Sequence, residues 1–296
     1  MPRLPTSSFD MPLSSTEPEQ LRALHQALTA NARLADATLS LASHRFWLDQ
    51  LATEHYADPR KLTRHGRRVY SQNDEDGLLQ EIFARIGTTD RRFVEFGVET
   101  GVECNTAKLL VEGWSGLWIE GDAQHAARAQ RTLASFVREG RLQVKQAFVT
   151  AENINRLILS AGIAGEIDLL SIDIDGNDYW VWRAIEAIAP RVVVIEYNAT
   201  LPPPLSFVTP YAADFRWDGS NFYGASLEAL VRLGKARGYQ LVGCNFVGVN
   251  AFFVRADLCA DKFYLPATAE ALYEPPRLFL RLANNHHGRP GVMTAV

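Results

Sequence analysis

YQLVGCNF (residues 239–246) and NAFFVRADL (250–258) are two alternating, aromatic-rich runs parted by little more than VGV. A crossover between parallel strands takes about a dozen residues or more, so these runs must pair as an antiparallel hairpin. Upstream the pattern differs. RRFVEFGV (91–98), SGLWIEGD (115–122), LQVKQAFV (142–149), IDLLSIDID (167–175) and RVVVIEYN (191–198) read as strands. Between them lie helical patterns: NTAKLLVEGW (105–114), AQHAARAQRTLASFVREG (123–140), ENINRLILSAG (152–162) and DYWVWRAIEAIAP (178–190). An amphipathic helix, EDGLLQEIFARIG (75–87), precedes them, and SLEALVRLGKARG (226–238) leads into the hairpin. Alternating strands and helices imply right-handed crossovers and a parallel sheet with helices on both faces. Five parallel strands finished by an antiparallel hairpin are not the NAD-binding plan, whose last strand runs parallel.

The chain has 296 residues, 47% hydrophobic and 22% charged, the composition of an ordinary globular protein. A net charge of −4 offers no footprint for nucleic acid or an anionic membrane. Cys104, Cys244 and Cys259 are far apart and form no metal-ligand cluster, which predicts reduced thiols in a cytoplasmic protein. MPRLPTSSFDMPLSS at the start lacks a signal-peptide core, and no run of about 18 apolar residues predicts a membrane span.

Leu21, Leu24, Leu28, Leu34, Leu39, Leu41, Phe46, Leu48 and Leu51 recur at near-helical spacing, which predicts two helices between about 17 and 56. They pack on the main domain or on a second subunit, as in a homo-oligomer, or form a substrate lid. ADPRKLTRHGRRVY (57–70), dense in Lys and Arg, reads as a solvated connection or as a patch for an anionic acceptor. The expected division is an extension and linker over 1–69, a catalytic domain over 70–258 and a packing tail over 259–296.

The first strand exits through Glu95, Gly97 and Gly101, where open α/β sheets bind ligands and glycines allow close backbone approach. The spacing GxxxG is not the GxGxxG that cradles a pyrophosphate. Glu95 stands where a carboxylate meets a cationic ligand, or the loop is only a tight turn. Glu120 ends the second strand nineteen residues after Gly101, the distance at which an acidic residue reaches a ribose diol. Asp122 reads as the N-cap of the next helix. In YSQNDEDG (70–77), Asn73 or Asp74 caps the following helix, or Ser71 and Gln72 fold over the ligand's amino acid end.

Glu95-x-Gly97-x-x-x-Gly101, Glu120, the Asp173 strand and the terminal hairpin together resemble a class I S-adenosylmethionine-dependent methyltransferase. More narrowly, SQNDEDG followed by FVEFG, GWSGLWIEGD and SIDIDGNDYW resembles the FkbM-type methyltransferases, which are associated with O-methylation of sugars. The resemblance spans about residues 70–258. It implies a Rossmann-like methyltransferase sheet with an N-terminal helical extension. It further implies Gly97 and Gly101 beside the cofactor's methionine, Glu120 on its ribose, and Phe148 or Val149 beside its adenine. Asn105, Thr106 and Gly121 complete the implied cofactor set, with Ser71, Gln72, Glu95 and Asp173. The loop VETGVE departs from the family by carrying Glu99 and Glu103 where small residues are commoner.

Asp173, Asp175, Glu196 and Asn198 occupy the ends of two successive strands, IDIDG and IEYN, and are expected to converge on the transferred methyl group. A sugar hydroxyl is a poor acid and needs a placed base or a Lewis-acid metal. The seven histidines fall in the extension, linker, tail or at a helix start, so carboxylates carry the chemistry. Asp173, Asp175 and Glu196 either bind a hard divalent ion such as Mg²⁺, or one aspartate acts as a metal-free base, or Asp175 merely caps the next helix. ATLPPPLSFVTPYAADFRWDGSNFYGAS (199–226) is long for a connection and rich in aromatics, which suits a sugar ring or ordinary loop packing. The expected activity is O-methylation of a sugar or glycan hydroxyl. The rivals are methylation of a nitrogen or carboxylate on a small molecule, and a non-catalytic module that binds the cofactor.

Overall fold

The computed structural model describes residues 19–280. Seven strands form one sheet in the order β3-β2-β1-β4-β5-β7-β6. They are β1 (Arg92–Phe96), β2 (Ser115–Glu120), β3 (Leu142–Gln146), β4 (Gly165–Ile172), β5 (Ile188–Glu196), β6 (Tyr239–Cys244) and β7 (Asn250–Arg255). β1 to β5 pair in parallel, and β7 runs antiparallel to both β5 and β6. This is the expected Rossmann-like sheet closed by a hairpin. Asn245 shapes the turn, its Oδ1 accepting from the N–H groups of Val249 (2.8 Å) and Asn250 (2.9 Å).

The helices are α1 (Glu19–Leu51), α2 (Glu75–Ile86), α3 (Ala107–Val111), α4 (Ala123–Thr132), α5 (Ala134–Arg138), α6 (Ile154–Leu159), α7 (Asp178–Ala184) and α8 (Leu227–Ala236), with two single turns, α9 (Ala256–Cys259) and α10 (Ala269–Leu272), after β7. Strand side chains alternate between two cores, as the period of two requires. Val94 and Phe96 point into the core shared with α6, α7 and α8, while Phe93 points into the core shared with α2, α3 and α5. That parity fixes Glu95 on the α3 side.

Three expectations need correction. The two N-terminal helices are one helix of 33 residues, because nothing between 19 and 51 supplies a proline or glycine break. The helix expected over 178–190 ends at Ala184, and β5 begins at Ile188; Pro190 has no N–H to continue a helix. Residues 57–70 are not a solvated connection. Leu62 is buried against Gly243 of β6, Lys61 lies 4.7 Å over the Tyr264 ring, and the Arg67 carbonyl accepts from Gly77 N at 2.9 Å.

The segment after β7 also packs inward. Glu274 is buried, accepting from Tyr56 Oη (2.7 Å) and Arg277 Nη1 (2.7 Å), while its carbonyl accepts from Tyr197 Oη (2.5 Å). Residues 281–296 lie outside the described residues. Among the described residues no helix is long and apolar enough to cross a membrane.

Candidate functional site at the strand exits

Gly97 is where the exits of β1 and β4 touch. Its φ is +74°, and a Cβ there would lie 1.6 Å from the Asp173 carbonyl oxygen, so only glycine closes this contact. Gly101, at φ +76°, lies against the Trp118 ring, which a Cβ would approach to 2.6 Å. The next exit is organised by Glu120. Its Oε2 accepts from Glu99 N (2.7 Å) and its Oε1 from Asp122 N (2.8 Å), so one buried carboxylate ties two ligand-side loops together. Each oxygen keeps a second lone pair, which leaves Glu120 able to accept hydroxyl donors. Asp122 caps α4 as expected, accepting from Gln124 N and His125 N.

Beyond β3, Phe148 presents a partly exposed ring beside Gly121, whereas Val149 points into the core. Of the two residues considered for an adenine face, Phe148 is the accessible one. Glu103, in the loop after β1, lies 3.7 Å from Arg68.

Several expected ligand-side residues face inward instead. Glu95 is 4% exposed. Its Oε1 accepts from Asn105 N (2.9 Å), and its Oε2 from Thr106 N (3.1 Å) and Thr106 Oγ1 (2.5 Å). Burial pushes this carboxyl up from its ordinary value while the Thr106 and Asn105 donors oppose the shift. Asn105 Nδ2 donates to Ser171 Oγ (3.1 Å), and Trp118 Nε1 donates to Thr106 Oγ1 (2.8 Å). Strand parity thus sets Glu95, Asn105 and Thr106 beneath the start of α3, not at its ligand face.

Ser71 is also buried. Its hydroxyl donates to Asp76 Oδ2 (3.0 Å), an oxygen that also accepts from the N–H groups of Val69, Tyr70 and Ser71. Gln72 is half-buried. Glu75 accepts from Asn73, Asn245 and Asn250 side-chain amides at 2.9–3.0 Å, and Asp74 Oδ2 from Phe246 N at 3.1 Å. The polar stretch SQNDEDG is therefore a brace between α2 and the β6–β7 hairpin. Its key partners, Asn245 and Asn250, carry no signal in a linear reading.

The β4 exit turns on Asp178, which accepts from Ile174 N and Gly176 N, both at 2.8 Å. Burial raises its carboxyl to about 6. This leaves Asp175 exposed, in a left-handed conformation (φ +56°), and not the helix cap. Asp173 and Glu196 are half-buried. One carboxylate oxygen from each of Asp173, Asp175 and Glu196 lies within 4.8 Å of the others. Oxygens around a divalent ion at about 2.1 Å sit about 3–4 Å apart, so the three carboxylates are of the right chemistry for a hard cation and would close slightly to share one. Asn198 does not join them. It is fully buried, donating to the carbonyls of Asn221 (2.9 Å) and Tyr223 (3.0 Å) and so pinning the long loop.

That loop crosses the exits of β3, β4 and β5. Trp180 Nε1 donates to the Thr209 carbonyl (2.8 Å), Asn177 Nδ2 to the Ala212 carbonyl (2.7 Å), and Tyr211 Oη to Glu152 (2.5 Å). Phe215 packs on Gly176, whose Cβ would come within 2.2 Å of the ring. The Arg216 guanidinium lies 5.0 Å over the Phe148 ring. Phe207, Trp217 and Phe222 remain exposed along the loop.

No family model matches the chain, and no curated protein matches it. Solved structures with a similar course of chain include the magnesium protoporphyrin IX methyltransferase of Synechocystis PCC 6803 with bound S-adenosylhomocysteine. Its TM-score is 0.43 at 10% identity, covering 62% of this chain and 83% of that one. An S-adenosylmethionine-dependent methyltransferase from Clostridium acetobutylicum ATCC 824 gives 0.37 at 13% identity, over 71% and 98% of the two chains. An O-methyltransferase from Bacillus cereus with S-adenosylhomocysteine gives 0.37 at 15% identity, over 73% and 89%. At such scores and identities the fold assignment rests on this chain's own strand order and register.

Proposed function

We propose that this chain transfers a methyl group from S-adenosylmethionine to a hydroxyl of a sugar or glycan. The observation that carries the reading is the convergence of Asp173, Asp175 and Glu196 at the exits of β4 and β5, one strand over from the glycine turn at Gly97. The residues present fit the cofactor: Glu120 keeps acceptor capacity for a ribose diol, and Phe148 offers an accessible ring for adenine. Bound there, S-adenosylmethionine supplies an electrophilic methyl on a cationic sulfur.

The protein's part is positioning and proton handling. The acceptor oxygen must be held in line with the methyl at about 3 Å, the separation of a near-attack arrangement. A carboxylate of the cluster takes the hydroxyl proton as the new C–O bond forms and the methyl's bond to sulfur breaks, the sulfur leaving as a neutral thioether. A divalent cation held by Asp173, Asp175 and Glu196 would lower the pKa of a coordinated hydroxyl and ease that removal. The aromatic loop supplies flat faces for a sugar ring and excludes water from the exits. The test is methyl transfer to a glycoside panel with and without chelator. Activity on a glycoside, lowered by chelator and restored by Mg²⁺, supports the whole reading. Activity indifferent to chelator removes the metal and leaves the base, and turnover only on amines or carboxylates overturns the acceptor class.

A further inference from the structure

α1 stands clear of the body for most of its length, touching it near its end, where Phe46 packs at 6.2 Å from Phe246 and 5.6 Å from Phe279. Spaced alternately by four and three, Ala23, Ala27, Ala30, Leu34, Ala37, Leu41, His44 and Leu48 form one continuous seam. In heptad terms the leucines occupy one seam position and the alanines most of the other. Phe46 falls at the position farthest from both, so the face resting on the body is opposite the seam. The seam faces solvent: Leu34 is 67% exposed, Leu41 71% and Leu48 46%.

We propose that this seam pairs with the same seam of a second copy of the chain, with the two helices antiparallel. Antiparallel pairing sets Leu34 against the partner's Ala37, Leu41 against the partner's Ala30, and Leu48 against the partner's Ala23. Each contact occurs twice by the two-fold, so a large side chain meets a small one along nearly the whole seam. His44 then meets the partner's Ala27. Parallel pairing would instead stack leucine on leucine, leave thin alanine layers, and press His44 on its own copy. From Ala23 to Leu48 the seam runs about 38 Å. A strip of that length hides on the order of 800 Å² per partner, the area of a standard stable interface. Because Phe46 holds the body on the far face, the two bodies lie at opposite ends and do not obstruct the seam.

Light scattering on the full chain should give a dimer mass, and Leu34→Glu with Leu41→Glu should give a monomer with unchanged far-ultraviolet circular dichroism. Both leucines are exposed in the isolated chain, so the substitutions leave the body's core untouched. Orientation is read by oxidative cross-linking. Cys104, Cys244 and Cys259 are buried and do not compete. Ala23→Cys with Leu48→Cys should give a covalent dimer, whereas Ala23→Cys alone should not. A monomer at every concentration, a dimer that survives the double Glu variant, or self-linking through Ala23→Cys alone would each overturn the proposal.

Discussion

Glu75 accepts a hydrogen bond from Asn250 Nδ2 at 3.0 Å, and Asn250 stands opposite Glu196 in the pairing of β5 with β7. The segment before the sheet is thereby bound to the strand register that presents a candidate site carboxylate. Glu75→Ala strands the side-chain amides of Asn73, Asn245 and Asn250. Leaving several buried donors unsatisfied should cost about 2–4 kcal/mol, read as a fall in the denaturant midpoint. Glu75→Gln keeps one acceptor oxygen and should cost less.

Asp74 makes stability depend on pH. Burial first, and Glu75 second, push its carboxyl from 3.8 up to about 7. The folded pKa is the higher one, so the stabilisation is complete below the unfolded pKa and is lost as pH rises towards 7. Asp74→Asn should match the parent near pH 4 and exceed it by about 1–2 kcal/mol at pH 8. Asp178, raised in the same sense to about 6, keeps a residual slope in both proteins. Parallel stability curves from pH 4 to 8 would contradict this.

Two glycines of like φ separate conformational from steric cost. Gly97 and Gly87 have φ of +74° and +71°, but only at Gly97 does an added Cβ meet another atom. Gly87→Ala should cost about 1–3 kcal/mol, because its ψ of 179° lies in a region essentially reserved for glycine, and Gly97→Ala more than that or no folded protein at all. Equal melting shifts would show that the β1–β4 contact is not as close as the structure has it.

At the β4 exit, neighbouring aspartates should separate chemistry from stability. Asp175→Asn changes an exposed residue in a conformation asparagine adopts readily, so stability should move by less than about 0.5 kcal/mol. Methyl transfer should fall by about tenfold or more, as expected for loss of a group acting on the proton. Asp178→Ala removes the acceptor of two N–H groups, one buried and one half-buried, and should cost about 2 kcal/mol. Full activity in Asp175→Asn would remove that residue from the site.

The sheet was legible because its evidence is local. Five strand–helix alternations and a hairpin gap too short for a crossover decide the topology without any distant contact. Glu120, Gly97 and the aspartates of IDIDG were legible as strand ends. Glu95 misled because its meaning depends on parity: one residue either way would aim it at the other core. The DEDG run misled for a different reason, since Glu75 finds its partners 170 and 175 residues away at Asn245 and Asn250. Asn198 reads as a site residue in sequence and proves to be the pin of the loop beside it.

Isothermal titration with S-adenosylhomocysteine asks whether these strand exits hold an adenosyl cofactor at all. Binding with a Kd on the order of micromolar is expected, weakened about tenfold or more by Glu120→Ala. No heat at either of two temperatures with ligand at about 1 mM, where any Kd below that value leaves at least half of the protein bound, would contradict it.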